Sequence, residues 1–232
     1  MMIEIKQLQK NYGGRTVVTI PELGFEKGET IGVVGNNGAG KTTFFRLLLD
    51  LIRADKGTVL SKAILVAGSD HWKEYTASYL DEGFLIEYLT PEEYFYFVGS
   101  LQEMPRADVA QALDLYQEFF NGEVLQQRKY IRELSKGNKN KVGIVAALIQ
   151  NPEVLILDEP FASLDPTSQI RLKNILKTLK TSKSMTILIS SHDLNHVTEV
   201  CDRIILMEKG VILKDFRTNS HSLKELEDYF SE

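Results

Sequence analysis

A single cysteine, no apolar run long enough to cross a bilayer and no surplus of positive charge say first what this 232-residue chain is not. Cys201 has no second cysteine with which to form an internal disulfide. Placed after Val200 and before "RIILM", it reads as a small buried side chain and not a reactive thiol. The longest apolar stretches, such as "VGIVAALI", fall well short of the roughly 20 residues a spanning helix needs. The opening "MMIEIKQLQK" alternates and carries charge where an export segment would be apolar, so a cytosolic, soluble polypeptide is expected. Lys and Arg number 27 against 32 for Asp and Glu, a net charge of -5 that offers no broad attraction for nucleic acid or anionic lipid. Nucleic acid is therefore not an expected partner. Internal repeats, low-complexity tracts and long linkers are also missing, and the length suits one large domain or a core with a smaller insert.

What is present alternates between strand and helix signals. Residues 1–34 read as β structure: "MIEIKQL", "RTVVTIPELGFE", a Lys27-Gly28 turn, then "TIGVVG", apolar enough to be a central strand covered on both faces. "TTFFRLLLDL" at Thr42 to Leu51 is a helix, and "GTVL" and "AILVA" are short strands. From Pro91 to Gln150 the period becomes 3.6, which marks a mostly helical insert at 91–150 between the core segments 1–90 and 151–232. Beyond it come the strand "EVLILDEP" and a helix opened by Asp165-Pro166 and running to about Lys180. The strand "MTILIS" and a hairpin through Lys209-Gly210 follow, and "SLKE" at Ser222 to Glu225 reads as a capping box for a last helix. The fold class is α/β with a helical subdomain.

The residues Gly35, Asn36, Asn37, Gly38, Ala39, Gly40, Lys41 and Thr42, followed by Thr43, fit G-x-x-x-x-G-K-[ST] completely, between a buried strand and a helix. Glycines let the backbone curl so that successive N–H groups face a β-phosphate, and the helix adds its positive end. Lys41 is placed to bridge β- and γ-phosphates, and Thr42 to set its hydroxyl on Mg²⁺. Asp158, at the end of "VLIL", suits the Mg²⁺ hydration shell. Glu159, one residue on, is placed to polarise an attacking water as general base. His192, after "TILIS", is either structural or an orienter of water or base, and Tyr12 either packs on the sheet or stacks on a purine. A second stretch, "ELSKGNKNK", puts Ser135 at a helix start with three lysines before any apolar residue, as though it too were to meet an anion.

Together these elements resemble the nucleotide-binding subunit of an ABC transporter over nearly the whole chain: Tyr12, the Walker A loop "GNNGAGKTT", the signature "LSKGN", the Walker B "VLILDEP", the D-loop "SLDP" and the switch His192. The resemblance implies a P-loop NTPase core with an N-terminal antiparallel β subdomain and a helical insert carrying the signature. It implies ATP with Mg²⁺, and two ATPase subunits paired head to tail, in the simplest arrangement as a homodimer. Ser135, Lys136, Gly137 and Asn138 of one chain, with Asp165 of its D-loop, would then face ATP held by the other, the helix start serving as the anion seat.

Three departures stand out. Lys136 replaces the family's second signature glycine, and Asn138 its glutamine. The loop into the helical insert lacks the family's Mg²⁺-sensing Gln, and Asp81 or Glu82 is the positional match. The large regulatory domain of many sugar-importer subunits is not expected here. "LSKGN" and "YLTPEEYFYFV" look most like ATPases of ABC-2-type exporters, which work with a separate membrane permease and lie on the inner face of the cell membrane. Phe84, Leu85, Tyr88 and Tyr94 to Phe97 are either part of the groove for that permease or subdomain core. An importer subunit is the nearest alternative. A soluble ABC-type ATPase acting on ribosomes or DNA lacks support from a tandem cassette, a coiled-coil insertion or a basic arm, and a metabolite kinase leaves the signature and D-loop unexplained.

Overall fold

The structure, a computed structural model, describes residues 1–182 and 185–231. Its first strands, β1 (Ile3–Tyr12) and β2 (Arg15–Phe25), bury alternate residues such as Ile3, Ile5 and Val18, Ile20, so one face of this hairpin packs and the other is wet. β3 (Thr30–Val34) is buried at every residue and delivers the chain to α1 (Lys41–Leu48). β4 (Lys56–Ser61) returns to pair with β1, and the two-residue β5 (Ile64–Leu65) closes an antiparallel sheet of order β2-β1-β4-β5. β6 (Thr76–Tyr79) was not legible in the sequence, where "TASY" is short and polar at alternate positions.

Four helices follow: α2 (Pro91–Leu101), α3 (Arg106–Asp114), α4 (Gln117–Phe120) and α5 (Lys136–Leu148). Thr90 and Glu93 form a reciprocal capping box at the start of α2, with Pro91 in the first turn where its missing N–H costs nothing. Then come β7 (Val154–Leu157), α6 (Pro166–Ser182), β8 (Thr186–Ser191), the short α7 (Leu194–Val200) that the sequence reading passed over, the β9 (Arg203–Glu208) and β10 (Val211–Arg217) hairpin, and α8 (Ser222–Ser231). The expected capping box at Ser222 is not formed. Ser222 is already helical, and its Oγ accepts from the Asn219 N–H at 2.9 Å, which ties the preceding turn instead.

β6, β7, β8, β3 and β9 are parallel, and β10 adds an antiparallel edge, giving the order β10-β9-β3-β8-β7-β6. Hydrophobic cores lie on both faces of this sheet, as a parallel sheet requires. Ile31 and Val33 join α1 (Phe44, Phe45) and the antiparallel sheet on one side, while Val34 joins α2–α7 on the other. Among the described residues no helix is long and apolar enough to cross a membrane. Cys201 is buried as expected, and that burial pushes its thiol far up, away from thiolate chemistry.

Candidate nucleotide site

α1 begins at Lys41 on Gly40, whose φ of 103° is left-handed and which supplies no side-chain cap. The first N–H groups of α1 therefore have no acceptor within the protein's own helix and point, with its positive end, into the loop Gly35–Gly40. A cavity of about 580 Å³ opens there, lined by Asn37 to Thr43, Glu159, Arg15, Thr16, Val17 and Lys209. The Lys41 ammonium is 6% exposed, donates to the Gly35 carbonyl at 2.6 Å and lies 3.4 Å from Glu159 Oε1. Asn36 contributes its carbonyl, which accepts from the Ala39 N–H at 3.0 Å and tightens the turn.

The carboxylates arrive from β7. The strand adjoining β3 is β8, so Asp158 stands one strand further from the loop than immediate adjacency would place it, and it reaches across: the Thr42 hydroxyl donates to Asp158 Oδ2 at 2.5 Å. Ser190, on the intervening β8, bonds Asp158 Oδ1 through its hydroxyl and accepts from the Glu159 N–H at 2.8 Å. Glu159 has φ 48°, a left-handed turn that swings its side chain away from the strand direction. Its Oε2 is then 2.8 Å from His192 Nδ1 and accepts from the His192 N–H, while Oε1 faces Lys41. His192 thus meets Glu159 and not a core ring, which favours the orienting alternative over a merely packed histidine.

Burial lifts the Asp158 carboxyl above its ordinary range, against the hydrogen bonds from Ser190 and Thr42 that pull it down. An acid with a raised native pKa binds its proton more tightly folded than unfolded, so the stability linked to it is lost as pH rises through the native value. At neutral pH the buried charge is a burden on the protein. Asp158→Asn, which keeps the shape and removes the charge, is expected to raise the melting temperature of the nucleotide-free protein by about 2–4 °C, the shift that about 1 kcal/mol produces at this size. Calorimetry at pH 7 checks it, and an equal or lower melting temperature would show that the carboxylate is not held at a cost.

A second, narrower cavity of about 180 Å³ shares Glu159 with the first and adds Asp158, Tyr79, Asp81, Glu82, Lys136, Asn140 and Ser163. Asp81 and Glu82 both line it. Asp81 is already engaged, capping a short turn through the Gly83 N–H at 2.8 Å and lying 3.5 Å from Arg46, whereas Glu82 has no such partner among the described residues. Ser135 caps α5, its Oγ accepting from the Asn138 N–H at 3.2 Å, and it is exposed and lies outside the wall of either cavity. Two of the three lysines after it are not free to meet an anion: Lys139 pairs with Glu87 at 2.9 Å, and the buried Lys141 with Glu123 at 3.2 Å. Of the three, only Lys136 has no ion-pair partner among the described residues. Gly137 sits so close to the D-loop segment that a Cβ would lie 2.6 Å from the Ser163 carbonyl, and Asn140 donates to the Pro160 and Ala162 carbonyls at 3.0 and 2.8 Å. Asp165 caps α6 through the Ser168 N–H at 3.0 Å and its hydroxyl, away from both cavities. Tyr12, 51% exposed, is no packed ring, and it stands outside the wall of the first cavity, beside the Arg15 that lines it.

Sequence reasoning missed Ser190, Asn140, Arg15 and Lys209. Ser190 left a signal, a hydroxyl in the otherwise apolar "TILIS" directly before "SHD". The others depend on contacts between distant segments. Of the aromatic residues noted after residue 83, Phe95 is fully buried, while Phe84, Tyr88 and Phe97 are 51%, 72% and 41% exposed, so the group divides between core and surface.

With that geometry in view, the family described as ABC transporter matches residues 19–162. The uncharacterized ABC transporter ATP-binding protein YhcH of Bacillus subtilis is 31% identical over 99% of this chain and 74% of its own length. The bacitracin transport ATP-binding protein BcrA of Enterococcus faecalis is 33% identical over 92% of this chain and 68% of its own. The methionine import ATP-binding protein MetN 1 of Shouchella clausii is 31% identical over 92% and 64%. The first relatives are longer, and the chain spans 54% to 74% of their length. Among solved structures, an ATP-binding subunit of an ABC transporter superposes with TM-score 0.87 at 26% identity, each chain covered completely. A dimeric ATP-binding cassette in a post-hydrolysis state with ADP and Pi superposes at 0.82 with 21% identity, covering 94% of this chain and all of that one, a likeness of fold. The phosphate loop, the carboxylates behind it and the two-sheet architecture are thus those of a known lineage, and the chain belongs to the ABC transporter family as an ATP-binding subunit.

Proposed function

We propose that this chain hydrolyses ATP to power a membrane transporter, most consistently an ABC-2-type exporter, through closure of two ATPase subunits around shared nucleotide. The observation that carries the ATPase reading is the bonded convergence of Lys41, Thr42, Asp158, Glu159 and His192, from three separate segments, beside the phosphate cavity whose helix start is left uncapped. Lys41 and the α1 N–H groups bind the β- and γ-phosphates. Glu159, steered by His192, takes the proton of the attacking water. The donor set fits Mg²⁺: one hydroxyl and one buried carboxylate, with no group of three or more ligating acids, histidines or cysteines among the described residues, suits an ion that takes its other oxygens from phosphate and water. Bound there, Mg²⁺ supplies charge neutralisation to the phosphate oxygens.

Ser135 and Gly137 serve the nucleotide of a second copy, a reading supported by their position outside the wall of the chain's own phosphate cavity. Phe84, Tyr88 and the groove along Leu85 to Tyr88 receive a separate integral membrane permease, which holds the subunit at the inner face of the cell membrane. Import remains the second reading, because the methionine import protein and the bacitracin transport protein are similarly related to this chain. Purification of the native complex from membranes is expected to yield one ATPase partner and one multi-span permease, and ATP-driven flux in vesicles reconstituted from it should run away from the face bearing the ATPase. Flux toward that face would establish import, and a soluble-only complex would remove the transport reading.

A further inference from the structure

We propose that Arg15 and Lys209 form a second cationic contact to the nucleotide at the mouth of the cavity, gripping its α-phosphate and ribose while the phosphate loop holds the β- and γ-phosphates. This rests on the nucleotide-site reading above. Arg15 follows the Gly13-Gly14 turn and pairs directly with Tyr12, which puts both side chains on one face at the open end of the hairpin. Its guanidinium is exposed, lines the cavity and meets no hydrogen-bond or ion-pair partner among the described residues. Lys209 comes from the opposite direction, on the β9–β10 turn. That turn is fixed to the loop itself: the Gly210 N–H donates to the Ala39 carbonyl at 2.8 Å, and the Gly210 carbonyl accepts from the Thr19 N–H at 2.7 Å. Residue 210 must be glycine here, since a Cβ would stand 2.2 Å from the Val17 carbonyl. The join locks the β2 wall, the phosphate loop and the Lys209 turn into one rigid rim. Glu208 holds the Lys209 ammonium at 3.3 Å and itself accepts from the Tyr229 hydroxyl at 2.6 Å, which limits where the lysine can go. With β- and γ-phosphates seated at the α1 end, the remainder of the nucleotide leaves the loop between these two cations. A planar, always charged guanidinium and a mobile ammonium suit a phosphate diester-like linkage and a ribose edge.

The test separates this contact from the loop by using ligands of different length. Arg15→Ala and Lys209→Ala, each with unchanged thermal unfolding, are expected to weaken Mg²⁺-ATP and Mg²⁺-ADP by the same factor, about 5–20-fold for one charge-assisted contact. Inorganic pyrophosphate, which fills only the β- and γ-seats and has no third phosphate, ribose or base, should lose less than about twofold by the same calorimetric titration. Arg15→Lys should recover part of the ATP affinity, and Arg53→Ala, an exposed cation away from the cavity, should lose none. Equal losses for pyrophosphate and ATP would reduce the pair to a general electrostatic field, and no loss for any ligand would overturn the assignment. If Lys41→Ala still weakens ATP binding in that second case, the nucleotide site stands and only the rim contact falls. If the parent chain binds no ATP, the site reading itself falls.

Discussion

Glu159→Gln is expected to bind Mg²⁺-ATP at least as tightly as the parent chain while hydrolysing it about 10²–10⁴-fold more slowly, the range general-base removal gives. The amide keeps the volume of the side chain and can still bond His192, but it cannot accept the proton of water. Removing the negative charge 3.4 Å from Lys41 also leaves that ammonium freer for phosphate. ATP should consequently trap a dimer that the parent chain forms only transiently, visible by size exclusion with and without nucleotide. Turnover of Glu159→Gln equal to the parent's, with contamination excluded, would take Glu159 out of the chemistry.

A site divided between two chains makes a further demand that a self-contained one does not. Lys41→Ala removes the buried cation of the phosphate loop and should cut ATP affinity by about 10–100-fold, the worth of a hydrogen-bonded charge. Ser135→Arg leaves that loop intact but fills the exposed approach to the α5 start with a long cation. Each variant alone spoils both sites of a homodimer. Mixed, they form heterodimers with one site free of lesions and one carrying both, so roughly a quarter of the parental activity should return if one site suffices. Where the two sites must fire together, activity stays absent and the decisive reading is crosslinking. Ser135→Cys and Asn37→Cys, in a Cys201→Ser background, should join between chains only with ATP. Joining within one chain, or equally without nucleotide, would end the shared-site reading.

How much of this was legible depended on how local each feature is. The phosphate loop is carried by consecutive residues, and its strand-to-helix setting is written beside it, so Gly35 to Thr42 could be placed before any coordinates. Asp158 and Glu159 were legible because an apolar run ended on two acids. Their connection to the loop was not, because it passes through Ser190 on the intervening β8, and strand order is a tertiary fact. Arg15 and Lys209 belong to segments of different sheets, nearly the whole chain apart, and the hydrogen bond from the Thr19 N–H to the Gly210 carbonyl that ties their segments together has no sequence signal. The lysines of "SKGNKNK" misled for a related reason: two of their partners, Glu87 and Glu123, lie on segments far away in sequence. At Ser222 the motif was present, but the competing Asn219 turn took the hydroxyl.

The amide of Asn140 holds two carbonyls of the segment that follows Glu159, and Gly137 rests on Ser163 of that same segment. If the proposed shared site holds, an adjustment of Glu159 would be carried, within one molecule and over a few bonds, to the α5 start that this molecule offers its neighbour. Asn140→Ala, which removes both hydrogen bonds of this join, should then lower turnover while leaving Mg²⁺-ATP affinity unchanged, as titration and an ATPase assay on the same preparation would show.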